Sequence, residues 1–570
     1  MVTKETGFSF ASILHSVAGV LGSQVAIIDG DRSITWRQFA DDVFSLGQTL
    51  VDFGYGVNKA RSELENHQSG QDHLAICMQN STEFLSVYLG ACAARMAPLN
   101  VNYKYSADEL RYLLQDSSTR VLVYDEVFAP TIKVALEGLE NPPQLIEHKQ
   151  TNSTTTRLEG AILLSGCFAN SSTDTGALVA ASSPDDIVLQ YTGGTTGMPK
   201  GVIWRQDDLF VRALGGRNFR DGGREWNSIN ELISSVETKP GPRLMPVCPF
   251  MHGTGLWTAL QSLFAGGTVV MPRDTTRFDS HLVLDAIEAE KVVVLVLVGD
   301  AFFRPLLDEL MKSDHKLESL RFIISSGAAI STANRDAVAK RLPHVRVKNV
   351  VGSSESGPQA EESETKDFSP RPGTVILGED RLSVVSASEE QSGWLASYGH
   401  IPLGYLNDPV KSAAIFPVID EQRYSVPGDR VQPLGDGRFQ LLGRDSMMIN
   451  TGGEKVFVEE VEEAIKAHPD VLDVLVVGRP SERWGNEIVA VVSSTGNTPS
   501  REDLLQVASI RIARYKLPKD FVFVDKVLRS PAGKGDYRWA QSVVTSVGAQ
   551  TKIEKVHKQI ADDESAINAQ

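Results

Sequence analysis

Residues 187–201 read IVLQYTGGTTGMPKG, an apolar strand-like run followed by a glycine-rich loop. Four of the eleven residues in 191–201 are glycine, which lets the backbone approach a ligand closely and leaves its N–H groups free to bind an anion. Hydroxyl donors and a positive charge come from four side chains: Thr192, Thr195, Thr196 and Lys200. The segment therefore predicts a loop that binds the phosphates of a nucleotide.

The loop differs from two widely used phosphate-binding patterns. No GK[ST] closes it, as a Walker A loop would require, and it lacks the GxGxxG of a dinucleotide fold. Glycine content alone would suit a flexible turn between two strands. The interleaved threonines and the PKG ending favour the nucleotide site.

Short β-branched runs lie on both sides of this loop, at 73–78, 119–124, 292–298, 320–324 and 345–351. Helix-like segments such as 106–115 and 300–313 flank most of them. Strands that alternate with helices predict an α/β fold of parallel sheets covered on both faces. The Ser/Thr-rich segments 150–156 and 170–175 and the acidic segment 359–373 are predicted to be surface loops.

A different pattern begins near residue 443. Strand-like residues 439–442 are followed by a glycine turn, a helix, two strands and a second helix, at 452–453, 457–467, 473–477, 487–493 and 501–514. This is the size of a small α+β domain. We predict a large N-terminal domain of covered β-sheets at 1–443, a small mobile C-terminal domain at 444–550 and a polar tail at 551–570.

Composition narrows the class of protein. A net charge of −16 argues against a nucleic-acid partner, because phosphate backbones attract a basic surface. The four cysteines have no CxxC spacing, which argues against a disulfide framework or a zinc site and favours a reducing compartment. Residues 8–21 fit an amphipathic helix better than a secretory signal, and the apolar run 292–298 is too short to span a bilayer. We predict a cytoplasmic protein. Peripheral membrane contact and the oligomeric state stay open, with a homodimer as one option.

TGGTTGMPKG resembles the phosphate-loop signature of the acyl-adenylate-forming (AMP-binding) superfamily, which includes acyl-CoA synthetases, peptide-synthetase adenylation domains and luciferases. Further motifs follow in the family's order over almost the whole chain. PFMHG at 249–253 resembles the aromatic-His segment, and SGAA at 326–329 resembles the adenine-wall segment. VGSSE at 351–355 is similar to the YGxTE pattern, although Val351 replaces the Tyr that usually stacks on adenine.

The resemblance implies a nucleotide site. Glu355 would hold Mg²⁺, Ser354 would contact the α-phosphate, and Asp429 of YSVPGD at 424–429 would accept hydrogen bonds from the ribose. Arg444 would contact the ribose or the α-phosphate. The implied ATP or AMP ligands are Thr192, Gly193, Gly194, Thr195, Thr196, Gly197, Lys200, Gly327, Ala328, Gly352, Ser353, Ser354, Asp429 and Arg444.

The same resemblance implies roles for the C-terminal region. SPAGK at 530–534 is similar to the family's catalytic-lysine segment, so Lys534 would act in catalysis together with Glu355 and Thr192. Ser446 stands where the family usually has a hinge Asp or Lys. The coenzyme A channel would be bordered by Gly452, Gly453 and Lys455.

The acid substrate is predicted from one substitution. Amino-acid-activating relatives carry an Asp after the Phe of the aromatic-His segment, whereas here Met251 follows Phe250. An apolar acyl pocket is predicted from Phe250, Met251, His252, Trp257 and Phe302, although such aromatics also fill protein cores. The sequences GMPKGVIWRQDDLF and INTGGEKVFVEEVEEAI resemble bacterial fatty-acid and steroid-side-chain CoA ligases.

We therefore predict an AMP-forming acyl-CoA ligase that uses ATP, Mg²⁺ and coenzyme A on a medium- or long-chain fatty acid or a steroid side-chain acid. Three alternatives stay open. The acceptor could be a carrier protein or an amine, or the chain could be a non-catalytic acyl- or nucleotide-binding relative. A serine hydrolase is disfavoured, because residues 352–357 read GSSESG and place Ser356 where GxSxG needs glycine.

Overall fold

The computed structural model describes residues 7–149, 157–193, 198–218, 221–327, 330, 332–363, 367–385, 391–444, 448–494, 496–528, 536–537 and 539–546. The chain forms two compact units that divide between Asp445 and Ser446. The short segment 104–109 groups with the second unit. The predicted loop at 150–156 and the predicted tail at 551–570 lie outside the described residues.

The first unit contains a 15-stranded mixed sheet. In spatial order its strands are Arg32–Thr35, Val25–Asp29, Thr268–Met271, Arg243–Pro246, Val294–Leu297, Phe322–Ser326, Arg346–Ser353, Gly357–Glu362, Phe368–Pro370, Phe439–Arg444, Asp429–Pro433, Gly393–Tyr398, Gln422–Ser425 and Val418–Ile419, and Thr374–Leu377 pairs with Gly393–Tyr398. Strands from Val25–Asp29 to Arg346–Ser353 are parallel. Pairing becomes antiparallel at Gly357–Glu362.

A second sheet of eight strands carries the nucleotide-loop segment. Its spatial order is Gly404–Tyr405, Pro199–Arg205, Ile187–Gly193, Ala97–Asn100, His73–Cys77, Thr119–Asp125, Gln144–His148 and Ile162–Leu163. A small two-stranded ribbon pairs Arg217–Asn218 with Arg224–Glu225. Most strands of this sheet are parallel, so the carboxyl ends of His73–Cys77, Ala97–Asn100 and Ile187–Gly193 meet at one edge.

Helices alternate with these strands, as the α/β prediction requires. In the first unit they are Phe10–Leu21, Trp36–Asp52, Thr82–Ala93, Ala107–Asp116, Ala129–Leu136, Leu164–Cys167, Thr175–Ala181, Gln206–Ala213, Ile229–Thr238, Gly253–Phe264, Ser280–Ala289, Gly299–Leu310, Thr332–Arg341 and Pro409–Ile415. The helix Ala107–Asp116 begins within the segment grouped with the second unit. No helix in the described ranges is long and apolar enough to cross a membrane.

The first helix shows how the sequence pattern becomes packing. Phe10, Ile13, Leu14, Val17 and Leu21 recur at helical spacing and are all buried, while Ser9 caps the first turn by accepting from the Ser12 backbone N–H. The amphipathic helix predicted at 8–21 is confirmed. Each such side chain contributes about 1.5–3 kcal/mol of burial free energy.

The prediction of a surface loop at 359–373 is wrong. Gln359 and Ala360 are fully buried in strand Gly357–Glu362, which pairs on both edges. The acidic Glu361 is paired with Lys348, at 3.1 Å between Nζ and Oε2, and with Arg371. Because one of these cations comes from a neighbouring strand, composition along the chain gave no sign of the neutralised charge.

The second unit folds as a five-stranded sheet with helices Val458–Lys466 and Arg501–Ser509. Its strands lie in the order Glu454–Phe457, Met448–Thr451, Gly485–Ser494 and Val471–Ser481, and Asp520–Phe523 pairs with Gly485–Ser494. Side chains of the two long strands alternate between two apolar clusters, with Val474 and Val476 in one and Leu475 and Val477 in the other. The second helix ends at Ser509, five residues before the predicted end at 514.

A half-buried histidine of the first unit makes its stability depend on pH. His400 Nδ1 lies 2.8 Å from Asp208 Oδ1, and Nε2 lies 3.2 Å from Glu225 Oε1. Burial alone would lower the pKa of His400, but hydrogen bonds to these two carboxylates outweigh it and raise the pKa to about 9. Arg205 and Arg217 also pair with these carboxylates, at 2.6 Å and 3.0 Å.

Since the folded pKa of His400 exceeds that of an unfolded histidine, its proton stabilises the fold fully below about pH 6.5 and progressively less as pH rises through about 9. We expect the free energy of unfolding to fall by about 3 kcal/mol over that interval from this group. Urea titrations at several pH values should show a flatter profile for His400→Gln. Parallel profiles for the two proteins would contradict the assignment.

Candidate functional site

The nucleotide-loop segment connects two neighbouring strands, Ile187–Gly193 and Pro199–Arg205. The structure describes Thr192, Gly193 and Lys200, whereas the predicted ligands Gly194, Thr195, Thr196 and Gly197 lie outside the described residues. Tyr191, just before the loop, is buried and donates its hydroxyl to Asp116 Oδ2 at 2.7 Å. A Cβ on Gly201 would lie 2.7 Å from the Tyr191 ring, so this position requires glycine.

Lys200 lies in a cluster that joins three distant parts of the chain. Its Nζ is 5.3 Å from the centre of the Tyr405 ring, and the Tyr405 hydroxyl donates to Glu355 Oε1 at 3.0 Å. Burial and the neighbouring Lys411 ammonium lower the pKa of Lys200 to about 8. The structure thus brings the predicted phosphate ligand Lys200 together with the predicted metal ligand Glu355, through a tyrosine that the sequence analysis missed.

Glu355 stands on a short turn between strands Arg346–Ser353 and Gly357–Glu362. The turn is fixed from several sides: the Glu355 N–H donates to Ser353 Oγ at 3.2 Å, and the Ser425 hydroxyl donates to the Glu355 carbonyl. Trp204 Nε1 donates to the Ser354 carbonyl at 2.9 Å. These bonds fix the backbone of the turn that carries the Glu355 carboxylate.

The hydrolase alternative conflicts with this turn. A nucleophile elbow leads from a strand into a helix, whereas here the turn leads into the antiparallel strand Gly357–Glu362. Gly352 is required by close packing, because a Cβ there would lie 2.5 Å from the Gly357 carbonyl oxygen. Residues 352–357 therefore form a tight β-connection rather than an elbow.

Two further predicted nucleotide ligands lie at the carboxyl ends of adjacent parallel strands. Gly327, with a φ of 89°, directly follows Phe322–Ser326, and Ser353 ends Arg346–Ser353. In open α/β sheets ligands bind at this edge. The predicted neighbour Ala328 lies outside the described residues.

The predicted ribose ligand Asp429 is buried at the start of strand Asp429–Pro433. Arg444 is its direct partner in the antiparallel register with Phe439–Arg444. The Arg444 side chain lies outside the described part of the structure, so its contact with a nucleotide stays a prediction.

The aromatic-His segment lies between strand Arg243–Pro246 and helix Gly253–Phe264, whose N-cap is His252. Phe250 is fully buried against Phe84, with ring centres 5.5 Å apart, and Trp257 packs edge-on against Trp204 at 6.0 Å. Met251 is also buried, and His252 is half-buried.

Phe302 is a fifth predicted pocket residue and lies on helix Gly299–Leu310, where its ring packs against Phe278 at 5.1 Å. Phe250 and Trp257 belong to one core cluster, whereas Phe302 packs against two others. These side chains therefore form part of the packed interior, and their role in an acyl pocket stays a prediction.

Two asparagine amides that the sequence analysis missed, half-buried Asn80 and buried Asn100, hold this segment. Asn80 accepts from the Phe250 N–H at 2.7 Å and donates to the Cys248 carbonyl at 3.0 Å. Asn100 donates to the Met251 carbonyl and accepts from the Tyr191 N–H at 3.3 Å. Only their positions at strand ends could have indicated them, because a lone asparagine carries no motif.

In the second unit Gly452 and Gly453 form the turn between Met448–Thr451 and Glu454–Phe457, with φ values of 59° and 84°. These backbone conformations favour glycine, and a Cβ on Gly452 would lie 2.9 Å from the Trp484 ring. Ser446, Lys534 and the Lys455 side chain lie outside the described residues. The hinge, the catalytic lysine and the coenzyme A channel therefore stay predictions.

Two protein-family profiles match this chain, one in the predicted N-terminal domain and one in the predicted C-terminal domain. The profile of the AMP-binding enzyme family matches residues 15–393, and the profile of the AMP-binding enzyme C-terminal domain matches residues 460–534. The medium-chain acyl-CoA ligase Mig of Mycobacterium avium is 42% identical over 94% of this chain and 98% of its own length. A medium/long-chain-fatty-acid and 3-oxocholest-4-en-26-oate CoA ligase of Mycobacterium marinum is 34% identical over 94% of this chain and 96% of its own.

Solved structures show the same fold at lower identity. The amide bond synthetase McbA of Marinactinospora thermotolerans superposes with a TM-score of 0.73 at 21% identity and covers 94% of this chain and 99% of that chain. The o-succinylbenzoate CoA synthetase of Bacillus subtilis superposes with a TM-score of 0.70 at 21% identity, covering 92% and 97%. The predicted α/β architecture with a small C-terminal domain is confirmed.

Proposed function

Because the chain belongs to the AMP-binding enzyme family, we propose that it is an ATP-dependent acyl-CoA ligase that activates a hydrophobic carboxylic acid as an acyl-adenylate. The observation that carries the proposal is the identity of 33–42% over about nine-tenths of the chain with ligases named for medium- and long-chain fatty acids and a steroid side-chain acid. ATP and coenzyme A are the expected co-substrates.

The first half-reaction joins two anions. A carboxylate oxygen attacks the α-phosphorus of ATP, the bond to the bridging oxygen of diphosphate breaks, and diphosphate leaves. Positioned cations must offset the repulsion between acid and triphosphate. Lys200, whose lowered pKa reflects a partly buried ammonium, is proposed to contact the phosphates together with the loop 192–200.

Glu355 fits a magnesium ligand by its chemistry, since it offers hard carboxylate oxygens and its turn is fixed by Ser425 and Trp204. Bound Mg²⁺ would neutralise charge on the phosphate oxygens. Tyr405 orients the carboxylate through its hydroxyl, and Lys200 Nζ lies 5.3 Å from the centre of the same ring.

The second half-reaction transfers the acyl group to the thiol of coenzyme A with release of AMP. We propose, from the resemblance, that Lys534 serves the first half-reaction and that the turn at Gly452 and Gly453 serves the second, with Ser446 as the hinge between them. Neither step requires a covalent enzyme intermediate.

Substrate class is tested with a panel of acids scored by AMP release in the presence of coenzyme A. We expect medium- and long-chain fatty acids and steroid side-chain acids to be used at least about tenfold more efficiently, as kcat/KM, than amino acids or small aromatic acids, because added apolar contacts are worth about 1–3 kcal/mol per methylene. Replacing coenzyme A with hydroxylamine separates activation from transfer. Preference for amino acids, or activation without transfer to coenzyme A, would contradict the proposal.

A further inference from the structure

Two asparagines lie near the carboxyl ends of two neighbouring parallel strands. Asn100 is the last residue of Ala97–Asn100 and is 2% exposed, and Asn80 lies just beyond His73–Cys77. Both side-chain amides form hydrogen bonds with residues of 248–251, which lead into His252. Residues 248–251 are called the acid-binding segment below. The two asparagines differ in what else they touch.

Asn100 joins two segments that are proposed to bind different substrates. Its Oδ1 accepts from the backbone N–H of Tyr191, on the strand that enters the nucleotide loop, and its Nδ2 donates to the Met251 carbonyl. The described side-chain bonds of Asn80 go to Phe250 and Cys248 instead, within the acid-binding segment. A single amide group therefore spans from the nucleotide strand to the acid segment.

We infer that Asn100 is a positioning residue that sets the spacing between strand Ile187–Gly193 and the acid-binding segment during adenylate formation. The inference rests on the proposed function. Both bonds of Asn100 are buried, so water cannot replace either partner and the spacing is held tightly. Since a misplacement of about 1 Å can cost about 10²-fold in rate, loss of this link should slow the attack of the acid on the α-phosphorus.

Spacing matters differently in the two half-reactions. Before adenylation the acid and ATP are separate molecules, and the protein alone determines how far apart they lie. Once the acyl-adenylate exists, a covalent bond fixes the distance between acyl group and phosphate. A spacing residue should therefore affect adenylate formation much more than thioester formation.

The experiment compares Asn100→Ala with the matched control Asn80→Ala in the full-length enzyme. Adenylate formation is measured by acid-dependent exchange of labelled diphosphate into ATP, and thioester formation by reaction of pre-made acyl-adenylate with coenzyme A. We expect Asn100→Ala to lower the maximal exchange rate about 100-fold and to change thioester formation less than about threefold. For Asn80→Ala we expect mainly a higher KM for the acid, because its bonds lie within the acid segment.

Two outcomes would overturn the inference: equal loss of both half-reactions in Asn100→Ala, or the same pattern in both variants. If Asn100→Ala does not fold, as judged by thermal unfolding, Asn100→Ser retains a polar group too short to bond both partners and should show the same selective loss. Absence of any exchange by the parent enzyme would instead contradict the proposed function and is seen before any variant is tested.

Discussion

Lys534→Ala is expected to lower acyl-adenylate formation about 10²–10³-fold while thioester formation from a pre-made acyl-adenylate continues near the parent rate. A lysine at this position would place its ammonium between acyl and phosphate oxygens, where negative charge concentrates as the acid attacks. Removing one charge-stabilising donor of this kind costs about 10²–10³-fold. Exchange of labelled diphosphate into ATP measures the loss.

Lys526 provides the matched control for this substitution, since it is an exposed lysine shortly before the SPAGK segment and outside the motif. Lys526→Ala should leave both half-reactions close to the parent rates. If Lys534→Ala slowed the two half-reactions equally, the lysine would have no role specific to adenylation, and the assignment by resemblance would be wrong.

Local patterns were enough to predict those parts of the fold in which a segment determines its own structure. The helix Phe10–Leu21 follows from apolar side chains at helical spacing. The strands Thr119–Asp125 and Arg346–Ser353 follow from short β-branched runs. Glycine positions were also informative, because a positive φ at Gly452 or a close contact at Gly201 excludes other residues.

Pairing between distant segments could not be predicted in the same way. Composition predicts a loop at 359–373, because the segment's partners Lys348 and Phe439–Arg444 belong to other strands. The helix predicted at 501–514 is longer than the observed helix Arg501–Ser509, because the apolar pattern alone does not show where the helix ends. Burial of Ile512 supports an apolar pattern past Ser509, although the helix has ended.

In the candidate site, too, local motifs predicted some residues, whereas contacts between distant segments could not be predicted. Motifs indicated Lys200 and Glu355, yet nothing in the sequence indicated that Tyr405 lies between them or that Asn100 connects Tyr191 to Met251. The Asn100 contacts arise because parallel strands bring their carboxyl ends to one edge. Tyr405 comes close to Lys200 through the antiparallel pairing of Gly404–Tyr405 with Pro199–Arg205. Both arrangements depend on strand order rather than on local composition. Supporting residues are therefore found only after the topology is known.

Glu355→Gln should lower adenylate formation about 10²–10³-fold and raise the Mg²⁺ concentration needed for half-maximal rate. Glutamine keeps an oxygen that can accept from the Tyr405 hydroxyl, so the turn between Arg346–Ser353 and Gly357–Glu362 should stay intact. The variant loses the negative charge of the carboxylate. Mg²⁺ is a hard divalent cation, so its binding depends strongly on that charge. Diphosphate exchange measured over a range of Mg²⁺ concentrations, with thermal unfolding alongside, separates the two effects.

Tyr405→Phe is the complementary variant, because it removes the hydroxyl that donates to Glu355 but keeps the aromatic ring beside Lys200. A hydrogen bond to a charged carboxylate contributes about 1.5–3 kcal/mol, so the rate should fall about tenfold to 10²-fold. A metal-binding role for Glu355 therefore requires that charge removal cost more than loss of the orienting bond. Similar losses in both variants, with an unchanged Mg²⁺ dependence, would instead assign Glu355 to holding the turn.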